Sequence, residues 1–322
     1  MRVALDVAPL MQTGAGTARV VQGLSNALAG RPGLEVLPVS FGGPGRVSTA
    51  VRDVVWYPAG IARAARGADV LHCTTMRGPL RARPPVVVTV HDVALLRQPE
   101  AFPVWHRYTG RLTLRHGVHR ADAVVAVSAF TRDEIVEWLR IPEERIRVVP
   151  NGIEPVFAPD GPAASGEYVL AVGTLEPRKN LARVVEAARL AGVELRIVGA
   201  RGWGGIDVPG WVGRVSDEEL AALYRGASCL VFPSLYEGFG LPVLEAMACG
   251  TPVVTTRGGA TEEVAGGAAV LVDPRDAAAI AAGIAEAGAR RDELRLLGLQ
   301  RAQEFTWAAA ADAVEALWRE LA

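Results

Sequence analysis

A single lysine stands in a chain whose other 33 basic residues are all arginine. It is Lys179, in the run Glu176-Pro177-Arg178-Lys179-Asn180. Arginine is a rigid planar fork, whereas lysine is a compact charge on a flexible stem. A position that keeps lysine in so arginine-rich a chain calls for the smaller head. The run follows an apolar stretch, residues 168–173, and precedes a helical pattern. Two adjacent cations, Arg178 and Lys179, at a strand-to-helix turn suit a bound anion, typically phosphate. An ordinary solvated lysine is the competing reading.

The second constellation is Ser234-Leu235-Tyr236-Glu237-Gly238-Phe239-Gly240-Leu241-Pro242-Val243-Leu244-Glu245. Glu237 falls in a glycine-rich turn and Glu245 inside an otherwise apolar helix. A carboxylate in such a helix is costly unless it has hydrogen-bond partners. A sugar or ribose diol would supply two donors. Gly238 and Gly240 allow close backbone approach, and Pro242 suits a first helical turn whose bare N–H groups can face an anion. Each acid taken singly could equally be a solvated one; the pair with its glycines favours a ligand.

The elements that position these residues alternate regularly. β-rich runs occur at 3–7, 35–39, 69–72, 85–90, 123–127 and 146–149, then at 168–172, 194–198, 229–232, 252–255 and 269–272. Helical patterns intervene at 17–29, 103–120 and 129–139, then at 181–191, 216–226 and 241–249. Continuous apolar strands alternating with helices predict parallel sheets covered on both faces. A proline- and glycine-rich stretch, 155–166, reads as a linker. The fold class is α/β: two doubly wound Rossmann-like domains facing across a cleft, with ligands at the carboxyl ends of the strands. The expected boundaries are 1–158, 159–305 and a final helix over 306–322.

Bulk properties narrow the function. A chain of 322 residues suits two domains of about 150 residues each. Half of it is apolar, which excludes disorder, and a net charge of −1 gives no field that would favour nucleic acid. Cys73, Cys229 and Cys249 lie far apart in apolar surroundings and read as buried thiols in a reducing compartment. An early charge argues against a signal peptide, and no run approaches the roughly 18 apolar residues of a membrane span. A cytoplasmic location is expected. Arg107, Arg111, Arg115 and His119 recur every four residues. That stripe is either a solvated helix face or a contact for an anionic membrane or phosphorylated lipid.

Residues 172–180 and 237–254 together resemble the signature of retaining nucleotide-sugar glycosyltransferases of family 4, which have the GT-B fold. Val90-His91-Asp92, Val149-Pro150-Asn151-Gly152 and the loop Gly14-Ala15-Gly16 fit as well. The wording of Glu176 to Asn180 is similar to mannosyltransferases of surface polysaccharide assembly. The resemblance implies that Arg178 and Lys179 grip the donor diphosphate, that Glu245 binds the ribose and that Glu237 contacts the transferred sugar. It implies phosphate or sugar contacts from the backbone at Phe239, Gly240 and Leu241, and closure of Gly14, Ala15 and Gly16 over the phosphates. His91 would lie near the anomeric carbon. The last helix, 307–321, would cross back onto the first domain. One departure stands at Thr174, where many relatives have arginine; Arg178 would take over that contact.

The implied reaction moves a hexose, mannose favoured, from GDP-mannose or a UDP-hexose to a glycan or lipid-linked acceptor. Fixed cations would stabilise the leaving diphosphate, so neither a metal nor a further cofactor is expected. Two other functions compete: a nucleotide-sugar epimerase or sugar phosphorylase of the same fold, which should show a different histidine and carboxylate set, and a non-catalytic nucleotide-sugar binding protein, against which the intact Arg178, Lys179, Glu237 and Glu245 argue.

Overall fold

The computed structural model describes residues 1–12, 16–43, 45–102, 110, 114–202 and 208–322. They form two compact units. One comprises Met1–Gly152 together with Thr306–Ala322, the other Ile153–Phe305.

In the first unit the described residues form a six-stranded parallel sheet. Its strands are β1 (Arg2–Asp6), β2 (Glu35–Val39), β3 (Val70–Cys73), β4 (Val86–Val90), β5 (Ala123–Ala126) and β6 (Ile146–Val148), in the order β2-β1-β3-β4-β5-β6. The sequence Val86-Val87-Val88-Thr89-Val90 is buried at every position. That is the mark of a strand covered on both faces, where each β-branched side chain meets a helix. The helix Trp307–Leu321 supplies one cover: Ala310, Val314, Leu317 and Trp318 pack with Val3, Leu5, Val70 and Val87. It begins at Thr306, whose hydroxyl accepts the Ala309 N–H at 3.1 Å.

The second unit repeats the plan. Its strands are β7 (Tyr168–Val172), β8 (Glu194–Val198), β9 (Trp211–Gly213), β10 (Leu230–Phe232), β11 (Val253–Thr256) and β12 (Val270–Val272), in the order β12-β11-β10-β7-β8-β9. The strand β9 has no counterpart in the sequence reading; three residues with a glycine and no alternation give too little signal. The helices Leu181–Ala191 and Ala277–Ala289 cover this sheet through Val184, Ala187, Ile280 and Ile284. From β7 the chain builds β8 and β9 on one side, then crosses to lay β10 on the other. The sheet's switch point therefore lies between β7 and β10, the crevice where open α/β sheets hold ligands.

One helical run was not legible. Arg46–Val51, a π-helical stretch Arg52–Gly60 and Ile61–Ala64 follow one another between β2 and β3. Paired valines and an internal Pro58 argue for strand or loop there, and tertiary packing overrides them.

Candidate active site

The turns after β7 and β10 carry the two constellations and bring them together at the switch point. Gly173 follows β7 with φ +157°, and a Cβ placed there would come within 3.2 Å of the Lys179 side chain. Glycine at 173 thus leaves room for the lysine stem to lie across the strand end. Pro177 opens a 3₁₀ turn, Pro177–Lys179, and Asn180 closes it in the left-handed region with φ +59°. The Asn180 amide donates to the Pro233 carbonyl at 3.0 Å and to the Pro274 carbonyl at 2.6 Å. The Leu235 N–H donates to the Arg178 carbonyl at 2.9 Å. The bonds through Pro233 and Leu235 tie the β7 turn to the β10 turn, and the one to Pro274 ties it to the segment after β12.

The charged side chains form one network. Lys179 Nζ lies 2.6 Å from Glu237 Oε1 and 5.3 Å from the centre of the Phe232 ring. Arg178 reaches Glu237 Oε2 at 3.1 Å, Glu176 Oε1 at 2.7 Å and the Tyr236 carbonyl at 2.9 Å. All four side chains are largely withdrawn from water, none more than 16% exposed. Burial by itself raises the Glu237 carboxyl, but Lys179 and Arg178 outweigh it and hold the group below the usual carboxylate range. Glu237 is ionised at neutral pH. The cluster is two cations against two carboxylates, with Arg178 and Lys179 both ion-paired. Glu176 was missed as a member; its only sequence signal was its place beside Pro177.

Glu245 lies in the helix Leu241–Ala248 and is 2% exposed. The Tyr224 hydroxyl, from the helix Asp217–Gly226, donates to its Oε2 at 2.9 Å. The carboxylate thus has the kind of donor its apolar helix called for, and a protein group supplies it. Burial, with Glu245 nearby, pushes the Cys249 thiol up to about 12. Gly240 caps the helix at φ +109°, and a Cβ there would meet Thr261 Cγ2 at 3.0 Å. The Phe239 side chain packs edge-on against Phe305, so only its backbone is left for a ligand. Gly238 is buried beside it, Leu241 is half-buried at the helix start, and Thr174 is half-buried in the turn after Gly173.

In the first unit, His91 follows β4 and its Nε2 lies 2.9 Å from the Thr74 carbonyl. A carbonyl only accepts, so Nε2 carries the hydrogen and Nδ1 keeps the lone pair when the ring is neutral. Burial lowers the His91 pKa against the Thr74 carbonyl and Asp92, which act to raise it. His91 also lines a cavity of about 30 Å³ with Thr74, Thr89, Asn151 and Trp307, room for one water molecule. Gly16 starts the helix Gly16–Leu28; Gly14 and Ala15 lie outside the described residues. So do Arg107 and Arg111, while Arg115 and His119 are exposed on a helix. All three cysteines are buried and unpaired. Among the described residues no group of three or more His, Cys, Asp or Glu is placed to hold a metal.

Comparison with known proteins gives these two units a family. Residues 14–157 match the model described as Glycosyltransferase Family 4, and residues 156–298 match Glycosyl transferases group 1. The chain belongs to the GT-B glycosyltransferases that these two models describe. Among curated proteins it is similar to the O-antigen chain mannosyltransferase B of Escherichia coli, 34% identical over 69% of this chain and 66% of that protein. It is similar also to the MMP alpha-(1->4)-mannosyltransferase of Mycolicibacterium hassiacum, 32% identical over 73% and 65%. The chain thus spans just under two thirds of these relatives, and 29% of the serotype-specific mannosyltransferase WbdA of E. coli. The solved sucrose-phosphate synthase of Thermosynechococcus elongatus superposes with TM-score 0.79 at 22% identity, covering 100% of this chain and 99% of that one. Anabaena HepE in complex with UDP and glucose gives 0.77 at 18%, covering 99% of both. At such identities the likeness concerns the fold.

Proposed function

We propose that the chain is a retaining hexosyltransferase that moves mannose from GDP-mannose to a glycan or lipid-linked acceptor. The observation that carries this reading is the cluster of Arg178, Lys179 and Glu237 at the switch point of the second unit. Its composition suits a donor with an anionic half and a hydroxyl-rich half. The diphosphate would take Arg178 and Lys179 as partners, and Glu237, released from them, would accept hydrogen bonds from sugar hydroxyls. The ion pairs hold both cations in place before the donor arrives, so little reorganisation accompanies charge development on the leaving diphosphate. The helix start at Gly240 and Leu241 adds backbone N–H groups to the same end of the sheet. Glu245, fixed by Tyr224, is proposed for the ribose, and His91 for a sugar hydroxyl through its Nδ1 lone pair. Retention needs no protein base if the leaving phosphate takes the acceptor proton. The mannosyltransferase relatives support mannose as the sugar; UDP-hexose is the competing donor.

A thermal-shift series tests the reading. A ligand at 100 times its dissociation constant adds about 2.7 kcal/mol to stability. GDP and GDP-mannose should raise the melting point of the parent, and of a Lys179→Ala variant much less. Equal stabilisation of both proteins would separate the nucleotide site from this cluster, and a response to UDP-glucose alone would replace the donor.

A further inference from the structure

Glu176 stands apart from the other members of the charged cluster. Among the described residues Lys179 has one carboxylate partner, Glu237, whereas Arg178 has two, Glu237 at 3.1 Å and Glu176 at 2.7 Å. Glu176 is 4% exposed and immediately precedes the 3₁₀ turn Pro177–Lys179. A polar side chain in that position commonly accepts a backbone N–H of the turn. The Glu176 side chain makes no such bond, and its Oε1 accepts from Arg178 Nη2 instead. Its backbone is fixed as well: the N–H donates to the Thr174 carbonyl at 2.7 Å, and the carbonyl accepts the Lys179 N–H at 3.0 Å. A withdrawn carboxylate is costly unless it is paired, and here the pair is with a guanidinium two residues on.

The two cations are therefore held in different ways. Arg178 Nη2 is bound to Glu176, while Nη1 donates to the Tyr236 carbonyl at 2.9 Å and to Glu237. When Glu237 turns to sugar hydroxyls, Arg178 still has Glu176 and Tyr236 and stays where it is. Lys179 loses its carboxylate and keeps the Phe232 ring at 5.3 Å, so its ammonium is the charge set free to move. Glu176 also makes the cluster neutral as a whole, two cations against two carboxylates. A neutral cluster attracts a diphosphate less strongly in the ground state than one of charge +1. A cation already fixed by other groups acts where charge develops, without reorganising as the bond breaks.

We propose that Glu176 is a positioning residue of the transfer reaction. It holds the Arg178 guanidinium toward the departing diphosphate after Glu237 has turned to the sugar, and its charge weakens the hold on the nucleoside diphosphate product. The inference rests on the reading of this cluster as the donor site. It gives the two cations separate parts: Lys179 moves onto the phosphate, and Arg178 is held in place for it.

Glu176→Gln and Glu176→Asp variants of the full chain test it. Glutamine removes the charge and keeps the length; aspartate keeps the charge and shortens the reach by one methylene. Chemical-quench cleavage of GDP-mannose in a single turnover reads the positioning, free of any effect on product release. Titration calorimetry with GDP reads the charge. The glutamine variant should bind GDP tighter by about threefold or more and cleave the donor more slowly by about tenfold or more. The aspartate variant should keep the parental GDP affinity and still cleave more slowly by about tenfold. A brace of the fold alone cannot tighten one step while slowing the next. A glutamine variant that loses GDP affinity and rate in step with its melting point overturns the proposal, as does parental cleavage by both variants. Should the glutamine variant fail to fold, the aspartate variant decides: slow cleavage at parental affinity supports the assignment, and parental cleavage sinks it. Parental cleavage by both variants beside a slow Lys179→Ala removes this inference alone. A parent that neither binds GDP nor cleaves GDP-mannose removes the GDP-mannose reading and this inference with it.

Discussion

Lys179 is held by three features that the sequence shows only in part. Its stem passes over Gly173, its ammonium faces Phe232, and its Nζ lies 2.6 Å from Glu237. A guanidinium is flat and wide, and the same place admits only a point charge. Lys179→Arg should therefore lose turnover by more than its change in stability explains, and Lys179→Ala by about two to three orders of magnitude, comparable to removing one oxyanion donor. Steady-state kinetics beside a melting curve separates the two effects. Glu237 answers to the same network. Glu237→Gln leaves two largely buried cations without a carboxylate between them and should lower stability by about 3 kcal/mol. A Glu237→Gln/Lys179→Met double variant should recover part of that loss in denaturant unfolding; a purely additive double variant would show that the pair is not coupled.

At the scale of elements, Tyr224 joins two helices by holding Glu245. Tyr224→Phe should lower the unfolding free energy by about 1.5–3 kcal/mol, the usual contribution of a hydrogen bond to a charged group. If Glu245 meets the ribose, the same variant should weaken GDP and GDP-mannose alike; unchanged GDP affinity would leave Tyr224–Glu245 as a brace of the fold. Much of this architecture was readable. The helices Ala129–Leu139 and Leu181–Ala191 match the apolar periodicity to the residue, Trp307–Leu321 matches the last helix that the resemblance implied, and β2, β7 and β8 match their β-rich runs. The unread part has physical causes. The Arg46–Ala64 run escapes because its apolar period points to solvent and Pro58 interrupts it. Tyr224 escapes because nothing local marks a partner 21 residues away that only the meeting of two helices brings close, and Glu176 because its partner Arg178 stands two residues on in the same turn, with no spacing signal of its own. The identities of Arg178, Lys179, Glu237 and Glu245 were legible as types and spacing; their mutual neutralisation was not.

For the whole molecule, two buried groups of the first unit set an acid response. Burial lowers the His72 pKa to about 3, so this ring resists protonation in the fold while its unfolded counterpart takes a proton near 6.5. As pH falls through that window the unfolded chain gains protons and stability is lost, by about 1.4 kcal/mol per pH unit once the unfolded ring is charged. Asp6 works in the opposite sense. Burial raises its carboxyl to about 6 against the hydrogen bonds from Ala8 and Tyr57, so between about 6 and 4 the folded state takes the extra proton. An Asp6→Asn variant should therefore lose stability more steeply between pH 6 and 4 than the parent, and a His72→Gln variant less steeply. Chemical unfolding at half-unit pH steps reads both slopes.

Lys179, Arg178 and Glu237 are proposed to form the donor-activating site of a nucleotide-sugar transferase. The most direct measurement is the single-turnover release of GDP from GDP-mannose by the full chain in EDTA, for the parent and for Lys179→Ala. Cationic side chains acting on the leaving diphosphate predict that the parent releases GDP with the chelator present, and that the variant is slower by about two to three orders of magnitude. Equal rates for the two proteins, or parental release that stops in EDTA and returns with magnesium or manganese, would contradict it.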